Sequence, residues 1–454
     1  MTFKSLRAST FLAGVIGMAA AAGPAAAQVV NTNPILVPVT PGDPSVNPSG
    51  KFSAFDISFA DSVTGDIYIA DRSNAGVSIF SGSSLSQIGR ALGFEGVQPP
   101  PPATANNAIS GPDGVLTVST TSGGVTTTTL YAGDGNSQLR VFQFTNPANP
   151  GSAVTSISTG GTTRVDEMAF SPANGGLVLA ANNAESPAYG NLFQTAGGHT
   201  PVTPILFGPP PPGGTGTGIV VPTSQGGAPA GGMEQPAWNP TTGTFFVSIP
   251  ALFTQGTGMP PSVQIGGVSE ISTAGTVLRT IDFSKLPGIS SGGCAASGLA
   301  VSASGNMLVG CSNPGTQAVL LDKNGNLIKF VGQGTLGGTD ELWYDPKTNK
   351  FYVTGGPGGS TPGTRFFDVV DDNGNIVQGP VTVPTTTSAH SITVNPLNGD
   401  VWVPIAANAA GCPNGCIAVF TPVPGPIAGA GLPGLILAAG GLLALARRRR
   451  QRTA

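Results

Sequence analysis

The chain has 454 residues, of which only 9% are charged while 68 are Gly and 42 are Pro, and its formal net charge is −3. So few charges among so many helix breakers exclude long amphipathic helices and point to strands joined by turns. Setting aside the basic residues of the two ends leaves 12 of the 19 Lys and Arg against all 22 Asp and Glu, a balance that argues against nucleic-acid binding.

Lys4 and Arg7 introduce an uncharged apolar stretch, residues 11–22, too short to span a bilayer. Ala25, Ala26 and Ala27 then supply the small residues of a signal-peptidase site. Residues 1–27 therefore read as a signal peptide, and the body as exported. Directly after it, residues 35–40 form a spare strand, and Pro34, Pro38 and Pro41 suit an outermost edge, where a missing N–H disturbs no ladder.

From residue 56 onward one pattern repeats: an alternating apolar strand, a polar turn around Pro, Asn or Gly, and a second alternating strand. Residues 56–70 and 341–354 are its clearest copies. It recurs from Glu167, Gln235, Gly298 and Ser391, with a looser copy near Val115. The spacing of about 55 residues suits a four-stranded propeller blade plus loops. Third strands are expected at 77–80, 138–144, 318–321 and 365–370. The Asn-Gly steps within 322–326 and 371–375 favour tight hairpins over calcium loops, because no bidentate Glu follows. The last unit ends at 417–420 without a fourth strand; pairing it with residues 35–40 would close a ring and remove exposed edges. The expectation is an all-β, seven-bladed β-propeller over residues 28–421, with six or eight blades also compatible with the spacing.

Two Pro- and Gly-rich insertions, residues 98–102 and 207–232, are expected to be flexible surface loops. An even number of cysteines in an exported chain suggests disulfides. Cys412 and Cys416 flank a turn that one bridge could close. Cys294 opens an inner strand and Cys311 closes its neighbour, which brings them within bridging distance. A zinc site is disfavoured, since neither pair has a two-residue spacing.

Residues 427–446 carry no charge and match the hydrocarbon thickness; Arg447, Arg448, Arg449, Arg450 and Arg452 follow and should stay cytoplasmic, leaving the body outside. Together with Pro424, Gly425 and Pro426, this tail (residues 422–454) resembles the PEP-CTERM class of bacterial sorting signals. The resemblance implies an exosortase-type membrane protease as processing partner and delivery to the envelope or extracellular matrix. Gly425 stands where that class has Glu, and a plain membrane anchor is the alternative. The repeats resemble YVTN and NHL-type propellers, most closely at residues 165–170, 340–346 and 389–396, which implies a fold and no particular activity.

Aligning the repeats gathers polar residues at one mouth of the central channel. Asp56, Glu167, Gln235, Glu341 and Ser391 open innermost strands, and Asp166, Glu234, Asp340 and His390 precede them. Antiparallel geometry adds the ends of the second strands, Asp71, Asp134, Asn182 and Asn183. Calcium or another divalent cation would offset the repulsion among these acids; alternatively they cap strand starts and stay solvated. The candidate ligand- or metal-binding set is thus Asp56, Asp71, Asp134, Asp166, Glu167, Asn183, Glu234, Asp340, Glu341 and His390. Glu167 and His390 are the catalytic candidates, because a His beside carboxylates can act as a general base. His199, in a Gly-rich loop, reads as solvated. Glu167, Asn183 and Asp340 supply the residue types with which the similar gluconolactonase-like propellers hold a divalent ion, which implies a lactone or ester hydrolase. The Gly-x-Ser-x-Gly string at 288–292 and the Gly-rich 214–218 lack the strand-to-helix setting that gives such motifs meaning, and no haem-attachment string occurs. The leading expectation is an exported binding or structural module that meets a surface polysaccharide or protein.

Overall fold

Apolar residues alternating at period two, interrupted by Gly and Asn turns, build seven four-stranded antiparallel sheets among the described residues. A computed structural model describes residues 30–423, except 102, 186–187, 207–231, 255–263, 290–292, 314–316, 334–335, 357–363, 386–389 and 410, together with Arg448 and Gln451. The signal peptide, the sorting tail and nearly all of the 207–232 insertion lie outside the described residues. No helix among the described residues is long and apolar enough to cross a membrane. Residues Val30–Val423 form one compact unit.

The innermost strands are Ser58–Ala60, Val115–Ser122, Met168–Ser171, Pro236–Asn239, Ala296–Val301, Leu342–Asp345 and Thr393–Val394. Second strands such as Ile67–Asp71 and Leu177–Asn182 are buried along their whole length because neighbouring blades cover both faces. Fourth strands such as Ile376–Val383 alternate with solvent. Seven hydrophobic clusters follow the ring, each packing one blade against the next. Ile69 and Phe80 of blade 1 meet Trp402 and Val419 of blade 7, while Phe367 and Val381 of blade 6 meet Val403 and Phe420.

Ring closure occurs as the spare strand predicted. Ile35–Pro38 is the outermost strand of blade 7 and pairs antiparallel with Cys416–Phe420, in the register Ile35 to Val419 and Val37 to Ile417. The Asn-Gly segments are hairpin turns: Asp322 accepts from the backbone N–H groups of Asn324 and Asn326, and Asp371 from those of Asn373 and Asn375. Both disulfides form, Cys294 to Cys311 with Cα atoms 4.8 Å apart and Cys412 to Cys416 at 5.6 Å. At the channel mouth blades 2 and 3 approach so closely that a Cβ on Gly114 would run into the Asp166 carbonyl, and one on Gly133 into that of Val165. Glycine is required there by proximity.

Candidate functional site

The residues opening the inner strands converge on a cavity of about 140 Å³ lined by Asp56, Arg72, Arg164, Asp166, Glu167, Glu234, Asp340 and His390, with Asn107 and Ile57. Below it a second cavity of about 350 Å³ runs along the inner strands, and Ile57 and Glu167 line both. The channel thus has a charged mouth and a longer, mainly apolar and aromatic section.

Two arginines missing from the sequence-based set organise one side of the mouth. Arg72, just after the end of the second strand of blade 1, donates to Asp56, to Asp113 of blade 2 and to Asn107. Arg164 meets Asp166 at 2.8 Å and lies 3.9 Å from Asp56 and 3.8 Å from Asp113. His390 stacks flat on Phe55, with ring centroids 4.9 Å apart, and its Nε2 is 3.2 Å from Asp56 Oδ1. Burial would raise Asp56, but Arg72, the His390 hydrogen bond and Arg164 outweigh it and hold the carboxyl well below the usual range. Burial would lower His390, but Asp56 and Asp340 outweigh it and push the imidazole up.

The other side has more acid and less base. Burial raises Glu167 well above the usual range, and Asp166, Glu234, Asp340 and Glu341 add to the effect; among the described residues its Oε2 has no hydrogen-bond partner. Burial with Asp166 and Asp340 pushes Glu234 up to about 8 despite Arg164. Asp340 is raised by burial against the pull of His390. Glu341 is raised well by burial although it accepts from Ser391 Oγ and the Ile392 N–H. Asp166 is likewise raised by burial, which outweighs Arg164.

These contacts tie neighbouring blades together. Ser391 Oγ is 2.7 Å from Ser58 Oγ and also donates to Glu341, linking blades 6, 7 and 1. Gln235 Oε1 accepts from the backbone N–H groups of Leu299 (2.7 Å) and Leu342 (3.1 Å), so one side chain joins blades 4, 5 and 6. Asn183 donates to Asp166 at 3.1 Å and to Glu234 at 3.0 Å.

Asp71 and Asp134 occupy the expected strand ends, but their side chains turn back into their own blades and do not line the cavity. Asp71 accepts from Asn74 and Ser78 and lies 3.5 Å from Arg90; Asp134 accepts from Arg140 Nε at 2.7 Å. Asn182, at the equivalent place in blade 3, bonds Thr159 and Asn191. The solvated reading of His199 is corrected: it is half-buried, edge-on to Tyr131 with its Nδ1 3.2 Å from the phenol oxygen, and burial lowers its basicity.

Among the described residues no three His, Cys, Asp or Glu side chains converge as a metal site, and two guanidinium groups share the cavity with the carboxylates. Asn183 Oδ1, the amide oxygen a metal would need, faces the Met233 N–H. Asn107 and the arginines escape a reading by repeat position because they lie outside the aligned strand starts; Asp113 holds the place in blade 2 that Asp56 and Asp166 hold in blades 1 and 3, each donating its N–H to the second strand, so Asp56 stands one place before Glu167 and not level with it. A usable signal is present nonetheless: in a chain so poor in cations, Arg72 adjoins Asp71, and Arg164 stands two residues before Asp166.

No family model and no curated protein matches the chain. Among solved structures, the β-propeller domain of Cps50 (Swd1) from Myceliophteria thermophila is similar, with a TM-score of 0.52 at 9% identity over 82% of this chain and 97% of that one. The WD40 β-propeller domain of Doa1 aligns with a TM-score of 0.49 at 12% identity, over 82% of this chain and 94% of that one. The shared feature is the fold. At such identity a β-propeller scaffold is what the likeness shows, and function has to be argued from the site.

Proposed function

We propose that this protein is an exported β-propeller of the cell surface or extracellular matrix that acts as a binding or structural module. The observation that carries the reading is the use of the polar rim: Asp56, Glu341, Gln235 and Ser391 are engaged in contacts between blades. The His390 imidazole is itself tied to Asp56 of the neighbouring blade, and burial raises the Glu167 carboxyl well above its ordinary value. The N-terminal signal-like segment, the YVTN- and NHL-like repeats and the PEP-CTERM-like tail support export, with an exosortase-type enzyme as processing partner and a surface polysaccharide or protein as the partner of the mature form.

The test is metal analysis of the purified full chain followed by a lactone and ester panel, with fractionation of a bacterial host that exports it. The expected result is no turnover above background and no stoichiometric metal, with the protein in the envelope or medium. Turnover abolished by both Glu167→Gln and His390→Ala would replace this reading with a hydrolase; retention in the cytoplasm would remove the surface role.

A further inference from the structure

The longer section of the channel is walled by aromatic side chains that pack on the blade interfaces and also line the cavity. Its walls carry Phe59, Phe170, Trp238, Trp343 and Tyr344, one or two from each of four blades and all half-buried. Phe59 and Trp343 meet edge to face with centroids 5.2 Å apart, which fixes both rings at the wall. Its inner end holds Glu167, Gln235 and Glu341. Gln235 and Glu341 are already bonded to neighbouring blades. Glu167 differs: it is 3% exposed, lines the cavity, and its Oε2 has no partner among the described residues. A buried polar atom without a partner costs about 1–3 kcal/mol, so its persistence calls for an explanation.

We propose that this section of the channel binds a small organic cation of the quaternary-ammonium class, with the aromatic walls around its methyl groups and Glu167 as counter-ion. The inference rests on the binding-module reading and names a ligand for it. The argument is one of complementarity. Aromatic faces attract a diffuse cation, and about 350 Å³ accommodates a molecule of choline size. A primary ammonium carries three N–H donors and needs several acceptors, whereas the Gln235 amide oxygen and Glu341 Oε2 at the inner end are already engaged. A quaternary ammonium has no donors to satisfy. The charged groups acting on Glu167 are Asp166, Glu234, Asp340 and Glu341, all acids. An entering cation supplies the positive charge they lack, and the carboxyl gives its proton to solvent as the ligand seats. A neutral ligand of equal shape gains the apolar contact without this pairing.

Titration of the folded full chain with choline, followed by tryptophan fluorescence and calorimetry, tests the proposal. The control is the uncharged tert-butyl analogue of choline, in which carbon replaces the ammonium nitrogen. Expected results are saturable choline binding, at least about tenfold weaker binding of the analogue, and a similar loss in Glu167→Gln. Trp238→Leu, which leaves the carboxyl in place, should weaken choline by at least about fivefold and serves alone if Glu167→Gln fails to fold. No choline binding, equal binding of the two compounds, or choline binding unchanged in the folded variants would overturn the proposal. Failure here in an exported, catalytically inert protein leaves the binding-module reading standing, whereas lactone or ester turnover would remove that reading itself.

Discussion

Asp56 of blade 1 and Glu167 of blade 3 stand one place apart in the repeat, both at the start of an inner strand on the same mouth, yet their chemistry is opposite. Both are buried. Asp56 lies against Arg72 and His390, which hold its carboxyl low; Glu167 has acids around it and an oxygen without a partner among the described residues, and burial raises it well above the usual carboxylate range. Repetition therefore decides where an acid stands but not what it does. That depends on whether a cation reaches it.

The paired side should be the more fragile. Arg72→Ala leaves Asp56 and Asp113 buried without their main counter-charge and is expected to cost about 3–5 kcal/mol, measured by denaturant unfolding. A cost below about 1 kcal/mol would show that the guanidinium is not needed at the mouth. Next in size, Gln235→Leu removes the acceptor for two backbone N–H groups on separate blades and should cost about 1–3 kcal/mol by the same measurement.

The unpaired side should appear in the pH dependence. Glu234, pushed up to about 8, binds its proton more tightly in the folded than in the unfolded chain. Its stabilising contribution is therefore fully present below the ordinary Glu value and lost as pH rises through about 8. His390 is also raised and acts in the same direction above the ordinary His value. Asp56 acts oppositely: its contribution is present above the ordinary Asp value and lost as pH falls below it. Stability should thus fall from about pH 5 to pH 8, and Glu234→Gln should flatten that slope. The smallest effect is expected from Glu167→Gln, which exchanges a neutral acid for a neutral amide: unchanged stability at pH 5 within about 0.5 kcal/mol, and a gain at pH 8.

Much of the scaffold was legible because its signals are local or periodic. The strand pattern gave the blades, the lone strand at residues 35–40 supplied the partner that the last blade lacked, and the spacing of Cys294 and Cys311 followed from placing two neighbouring strands. The site was legible only in part. Asp56, Asp166, Glu167, Glu234, Asp340 and His390 do gather at one mouth. Asp71 and Asp134 point elsewhere, because on a strand one position decides which face a side chain takes and the repeat alignment does not resolve that parity at a strand's last residue. Arg72 and Arg164 were missed because they stand outside the repeated strand pattern, and one partner of Arg72, Asp113, lies 41 residues beyond it on another blade.

Infrared difference spectroscopy of the wild type against Glu167→Gln at neutral pH bears most directly on the contrast between the two sides. The substitution should remove a protonated-carboxyl C=O band and leave the carboxylate bands unchanged. Loss of a carboxylate band instead would mean that Glu167 is ionised and that a cation reaches it after all.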